Sequence, residues 1–387
     1  MTDVLIIGGG VIGLSIAREV ARRRVSVTLV ERGRFGGEST HAAAGMLAPQ
    51  AEAETDDDFF HLACVSREMY AKFALELYDE SDIDIELDTT GTLYLALNEM
   101  DEMAITRRYV WQRGARLDVE LLTPKEACAL EPHLASDVCA ALLFPRDGQV
   151  ENRHLTAALI KANERIGVRL LSNTEVTNIN FEGGRVAKIE TTTGELCAAN
   201  VVVASGAWSS RFLDQVVLHP QTVSHHGTTA HDETSIIEPV RGQMVCFAAH
   251  PAIVRHVVYS PRAYLVPRRD SRLLAGATTE HVGFNNCVTA GGVQSLITGA
   301  MEITPRIAGL PFIEAWAGLR PRAIDGLPII GASPVVKNLF FATGHYRNGI
   351  LLAPLTAHAV ADAITNTTTL NADTQARLAG FSLERFR

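Results

Sequence analysis

Gly8, Gly10 and Gly13 stand in Gly-x-Gly-x-x-Gly spacing directly after the apolar run Val4–Ile7, and Glu31 follows a second apolar run. These residue types suit the holding of a dinucleotide. Gly8 makes a tight turn, Gly10 admits a pyrophosphate to the backbone, and Gly13 lets a helix lie close on the strand. Val11 and Ile12 open that helix, whose N-terminal N–H groups and dipole favour phosphate. Glu31 is placed to accept hydrogen bonds from a ribose. Arg32 beside it could meet a 2′-phosphate, but Glu31 would repel that group, so FAD and NAD stay open and NADP is disfavoured.

Chemistry at a second place is offered by Arg320, an isolated cation between Leu319 and Pro321 in an apolar stretch after Trp316. Guanidinium is a planar, permanently charged fork that binds a carboxylate through two hydrogen bonds; a structural salt bridge would use the same residue. Tyr264, in an apolar strand, is either a core tyrosine or a phenol that donates to a carboxylate. Gly344 to Gly349 read as a loop-to-helix junction, where helix N–H groups can meet developing negative charge. No Ser-His-Asp set and no paired carboxylates stand out. His219, His225, His226, His231 and Asp232 match no metal-ligand spacing, so residues 218–238 read as a solvated loop and no metal is expected.

The elements that must position these groups follow from periodicity. A strand, a helix from Val11 to about Arg23 and a strand from Val25 to Val30 surround the glycines. The segment from Gly36 to Leu47 is rich in small residues, so its N–H groups can approach a ligand closely. Acids then crowd Glu52 to Asp58, and an amphipathic helix is expected from Phe59 to Tyr78. Gly91–Leu97 alternates as a strand does, and Thr123-Pro124 reads as a helix start. A helix from Glu151 to Ile166 is followed by strands near 168–171, 175–181 and 186–192. Val201–Ala204 is a continuous apolar run of the kind a buried parallel strand shows. It ends in the turn Ser205-Gly206-Ala207-Trp208, at the strand end where ligands gather in open α/β sheets. Strands at 264–268 and 272–280, a helix from Val288 to Ile303 and a helix ending near Ile364 complete the reading.

With 387 residues the chain is long enough for two domains. Its net charge of −9 argues against a nucleic-acid partner. No apolar run reaches membrane-spanning length, and four glycines interrupt the apolar start, which also lacks the basic residues of a signal peptide. The six cysteines are scattered with no C-x-x-C pair, so they read as reduced thiols of a cytoplasmic protein.

Taken in order, the Gly-x-Gly-x-x-Gly, Ala42-Ala43-Ala44-Gly45-Met46-Leu47, Gly206-Ala207-Trp208-Ser209, Tyr264-Leu265-Val266-Pro267-Arg268, Gly318-Leu319-Arg320-Pro321 and Gly344-His345-Tyr346-Arg347-Asn348-Gly349-Ile350-Leu351 motifs resemble the FAD-dependent D-amino acid oxidase family over nearly the whole chain. The likeness is greatest to the branch that oxidises glycine in thiamine biosynthesis. It implies a mixed α/β fold in which a discontinuous Rossmann-like FAD domain (1–85, 145–217 and 320–387) meets an antiparallel-sheet substrate domain (86–144 and 218–319). It also implies a cytoplasmic homotetramer with non-covalent FAD. Oxidation of glycine, sarcosine or small D-amino acids by hydride transfer from Cα to flavin N5 would give an oxo acid and peroxide. By the same resemblance Arg320 pairs with the substrate carboxylate, Tyr264 assists, and Arg347 lies near both carboxylate and flavin. Ser39, Thr40 and Ala43 to Leu47, with His345 to Leu351, would line the flavin ring. Val176 would meet the adenine side, with Gly206 and Trp208 close to the cofactor. A dehydrogenase of the same fold that passes electrons to a quinone, and a non-catalytic flavin-binding subunit, are the alternatives. Two departures from the family pattern stand out: a long stretch between Trp208 and Pro239, and Thr279 where an apolar pocket residue is expected.

Overall fold

The computed structural model describes residues 2–217 and 235–387. The histidine-rich part of the expected loop, with His219, His225, His226, His231 and Asp232, lies outside the described residues. A six-stranded sheet forms in the spatial order 329–332, 339–343, 198–203, 2–7, 27–30, 169–171. Four of its five pairings are parallel, and only the edge strand Ile329–Ala332 pairs antiparallel. Successive side chains of a strand point to opposite faces, and here both faces are buried. Val4 and Ile6 enter a core shared with the helices Val11–Arg22, Asp58–Ser81, Asn152–Ile166 and Gly349–Thr365. Leu5 and Ile7 enter a second core beneath the three-stranded sheet of 176–196. That double burial is why these strands read as continuous apolar runs.

The second large sheet has eight strands, in the order 312–323, 237–248, 272–276, 264–267, 257–259, 92–96, 140–144, 120–122. Only the pairing of 257–259 with 92–96 is parallel. Leu265 and Val245 face one core, closed by the helix Ala290–Ile303; Tyr264, Met244 and Val266 face the other, toward the small-residue segment around Ala44 and Ala48.

The first sheet's strand order reverses between 2–7 and 198–203, where Ala204 N donates to Ile7 O at 2.8 Å. Loops diverge there and leave a crevice at the carboxyl ends of the strands.

Several boundaries differ from those read in the sequence. The expected strand 272–280 stops at Gly276, and beyond it Thr278 and Glu280 bond Gln243 and Arg241. The helix expected over 59–78 runs from Asp58 to Ser81, with the Asp57 carboxylate accepting from Phe60 N at 2.8 Å. All six cysteines are free.

Candidate active site

One continuous cleft runs from the glycine turn to the face of the eight-stranded sheet that carries Tyr264. At the turn, Gly8 has φ +110, and a Cβ there would stand 2.4 Å from Ala204 O. A Cβ on Gly13 would stand 1.9 Å from Gly8 O, so only glycine lets the helix approach this far. Val11 N donates to Thr40 Oγ1 at 3.0 Å, which ties the helix start to the small-residue segment. The Glu31 carboxylate accepts from Gly9 N at 2.8 Å and Gly33 N at 2.9 Å. These two bonds orient it and leave lone pairs for a ribose. Arg32 lies over the Trp208 ring at 3.6 Å and pairs with Glu38. Trp208 in turn meets Phe284 at 5.4 Å between ring centroids, on a loop of the other sheet.

The small-residue segment forms one wall. Gly45, at φ +71, bonds the backbone of Val150, and a Cβ there would stand 2.0 Å from Val150 O. Arg268 fastens the same wall to the eight-stranded sheet. It donates to Ala44 O at 2.8 Å, Val150 O at 3.0 Å and Gln149 Oε1 at 2.7 Å. Burial lowers the Arg268 guanidinium to about 10, which still leaves it charged at neutral pH. Its role was missed in the sequence; the available signal was a cation ending an apolar strand.

At the far end Arg320 donates from Nη1 to Thr278 O at 3.0 Å. Among the described residues no carboxylate pairs with it. Gly242, on the neighbouring strand, makes room for it: a Cβ there would stand 2.2 Å from Arg320 Nη1. Thr278 is held by Gln243 N at 2.9 Å and donates to Glu280 at 2.6 Å. Burial opposes the Glu280 charge, but bonds from Arg241, Thr278 and Gln243 hold its carboxyl down to about 2. Thr279 itself is exposed and does not line the cleft, so the expectation of a pocket residue there is corrected: the strand has ended at Gly276, and it is the neighbouring Thr278 that bonds Arg320 and Gln243.

Tyr264 is buried, which raises its phenol above the ordinary value and keeps it a donor. Its hydroxyl lies 3.3 Å from Met244 Sδ. Arg347 forms no ion pair among the described residues and is exposed to the interior of the cleft. Burial opposes its charge, yet Glu52, Tyr264 and Tyr259 raise its proton affinity. Burial pushes His345 down to about 3, so it is neutral; its Nε2 lies 3.0 Å from Thr356 Oγ1.

The helix Gly349–Thr365 starts at the cleft and contains Pro354. Proline brings no N–H to Ile350 O, the acceptor four residues back. The Tyr70 hydroxyl donates to that oxygen instead, and Ser66 Oγ donates to Leu351 O at 2.6 Å. The first turn is thus held by the helix Asp58–Ser81.

The cleft gathers Gly8, Gly10, Val11, Ile12, Glu31, Arg32, Ser39, Thr40, Ala43 to Met46, Val176, Gly206, Trp208, Tyr264, Arg320 and His345 to Ile350. Gly13 lies beneath the turn, and Leu47 and Leu351 are in the core behind the walls. Glu52, unremarked in the sequence among the acids of 52–58, also lines the cleft, and its Oε1 accepts from the Tyr259 hydroxyl at 2.9 Å.

The turn and helix start fit a pyrophosphate and Glu31 fits a ribose, and the one cleft is lined both by them and by Arg320. The model of the DAO family, described as FAD dependent oxidoreductase, matches residues 3–363. A glycine oxidase of Geobacillus kaustophilus (strain HTA426) is 39% identical over 99% of this chain and 97% of its own length. The crystal structure of glycine oxidase from Geobacillus kaustophilus superimposes with a TM-score of 0.89, at 38% identity, over 99% of this chain and 98% of that one. A bifunctional protein ThiO/ThiG of Trichormus variabilis (strain ATCC 29413 / PCC 7937) is 35% identical over 94% of this chain, which spans 52% of that longer protein.

Proposed function

The chain belongs to the DAO family of FAD-dependent oxidoreductases, and from that premise we propose that it oxidises glycine and other small amines, among them sarcosine and small D-amino acids. The products are the oxo acid (glyoxylate from glycine), ammonia or an amine, and hydrogen peroxide. The observation that carries this reading is Arg320, a cleft-lining guanidinium with no carboxylate partner among the described residues, in the same cleft as the dinucleotide turn.

When bound, FAD would accept a hydride from the substrate Cα and hand the electrons to oxygen. The chain's own residues bind and orient. Arg320 takes the substrate carboxylate as a fork, held in place by Thr278 O on one side and the space above Gly242 on the other. Tyr264 donates a hydrogen bond from its phenol to the same carboxylate. Arg347 and the first N–H groups of the helix Gly349–Thr365 supply positive potential where negative charge develops. His345, neutral and bonded to Thr356, adds no charge of its own to that potential. Val11 to Gly13 and Glu31 would hold the nucleotide non-covalently.

The purified protein should be yellow and consume oxygen with release of peroxide on addition of glycine or sarcosine. A folded, colourless preparation that takes up no FAD overturns the reading. Rapid bleaching by substrate with slow recovery in air would instead assign a dehydrogenase.

The likeness to ThiO/ThiG proteins and the motif order support a place in thiazole formation for thiamine. The sheet membership supports division into an FAD-binding unit (1–85, 145–217 and 320–387) and a substrate unit (86–144 and 218–319), with the strand Phe312–Ala323 crossing the last boundary. The proposed assembly is a cytoplasmic homotetramer, and light scattering on the eluted protein tests its size.

A further inference from the structure

Four acids line the cleft. Glu31, Glu38 and Glu175 stand at the nucleotide end, bonded to the glycine turn, to Arg32 and to Arg211. Glu52 alone among the described residues brings a carboxylate to the end that holds Tyr264, Arg320 and Arg347. It is half-buried, and its Oε1 accepts from Tyr259 at 2.9 Å. No guanidinium or ammonium group closes an ion pair with it among the described residues. Its charge nonetheless reaches Arg347, Arg320 and Tyr264.

The backbone under Glu52 is fixed. It ends the short helix Pro49–Glu52, where Ala51 N donates to Asp147 Oδ2 at 2.9 Å and Arg67 holds Asp147 at 2.7 Å. Gln50, two residues before it, is bonded to Gln112 at 3.1 Å. A partly desolvated carboxylate held this firmly, with Arg347 acting on it only from beyond ion-pair distance, is stabilised further by a ligand that brings a cation into contact.

A zwitterionic substrate whose carboxylate sits on Arg320 has an ammonium group to place. We infer that Glu52 is the specificity-determining residue that receives this ammonium, so that the site takes an amine α to a carboxylate and rejects a 2-hydroxy acid or a dicarboxylate of the same size. The inference rests on the amine-oxidase reading above and adds to it the residue that distinguishes amine from hydroxyl. Tyr259 orients the carboxylate and leaves its second oxygen for the substrate.

The test uses the FAD-loaded enzyme with glycine, read by oxygen uptake, and glycolate, read by perturbation of the flavin absorbance. Glycolate carries a hydroxyl where glycine carries an ammonium. Glu52→Gln keeps the size and the acceptor for Tyr259 but removes the charge. The KM for glycine should rise about tenfold while the Kd for glycolate falls about tenfold, as expected for loss of one unit charge a few ångströms away. Opposite signs are the signature, because a merely structural role moves both the same way. Tyr259→Phe, which retains the charge, should leave the ratio of the two constants within about threefold. A second measurement needs no variant: oxalate should bind the wild-type enzyme at least tenfold more weakly than glycolate, since its second carboxylate faces Glu52. Equal or tighter binding of oxalate, or parallel or absent shifts in Glu52→Gln, overturns the inference while an active wild type leaves the oxidase reading standing. Wild-type flavin that stays oxidised with glycine, sarcosine and D-alanine overturns both.

Discussion

At the scale of single residues, Arg320 carries a charge with which no carboxylate pairs among the described residues. Replacing Arg320 with alanine removes a charge-assisted pair worth roughly 1.5–3 kcal/mol. The KM for glycine should rise at least tenfold in steady-state assays, with flavin content preserved; an unchanged KM would take Arg320 out of the substrate site. His345 makes a prediction of the opposite kind. Its folded-state pKa of about 3 lies below its ordinary value near 6.5. The unfolded chain therefore binds a proton that the folded chain refuses, and stability is lost as pH falls from 7 toward 3. Between pH 7 and pH 5 the loss from this one group is about 2 kcal/mol. Urea unfolding at the two pH values should show it in the wild type, and His345→Asn should shrink the difference by that amount. Arg320 was legible in the sequence because a lone arginine in an apolar stretch needs a partner. Glu52 was not, since an acid at the edge of the run Glu52 to Asp58 looks solvated, and only folding turns it toward Tyr259.

At the scale of elements, the strands buried on both faces were legible from their apolar runs, and the glycine turn from its spacing. The two longest strands, Ile237–Ala248 and Phe312–Ala323, were not. Each contains a proline, and Pro239 lies directly opposite Pro321 in the ladder, which a one-dimensional reading takes as a break. The helix Gly349–Thr365 shows how such a break is repaired. Tyr70→Phe keeps the ring but leaves Ile350 O without its donor, which should cost about 1–3 kcal/mol in denaturant titration with the slope unchanged. A loss well below that range would mean that another donor reaches Ile350 O. The variant should also weaken FAD binding, because the turn it supports is the one that faces the cleft.

For the whole molecule, the cleft is assembled from segments far apart in the chain. The turn at Gly8, the wall at Ala44, the strand end at Ala204, Arg320 and the helix at Gly349 meet only in the folded protein. FAD that binds this assembly and not the unfolded chain must raise the apparent stability, by about 2.7 kcal/mol at one hundred times its Kd. Thermal unfolding of the apoprotein with increasing FAD should show a rising, concentration-dependent Tm, and a Tm indifferent to FAD would mean that the cleft does not hold it. The sequence by itself determined the dinucleotide turn, the parallel strands beneath it and the family, because these rest on local spacing and on contiguous motifs. Only the tertiary structure decided that Arg320 has no carboxylate partner among the described residues, that Gly242 makes its space, that Arg268 fastens the wall and that Glu52 enters the site. Those are relations between residues remote in sequence, and their energies depend on burial and distance, which only the folded chain defines.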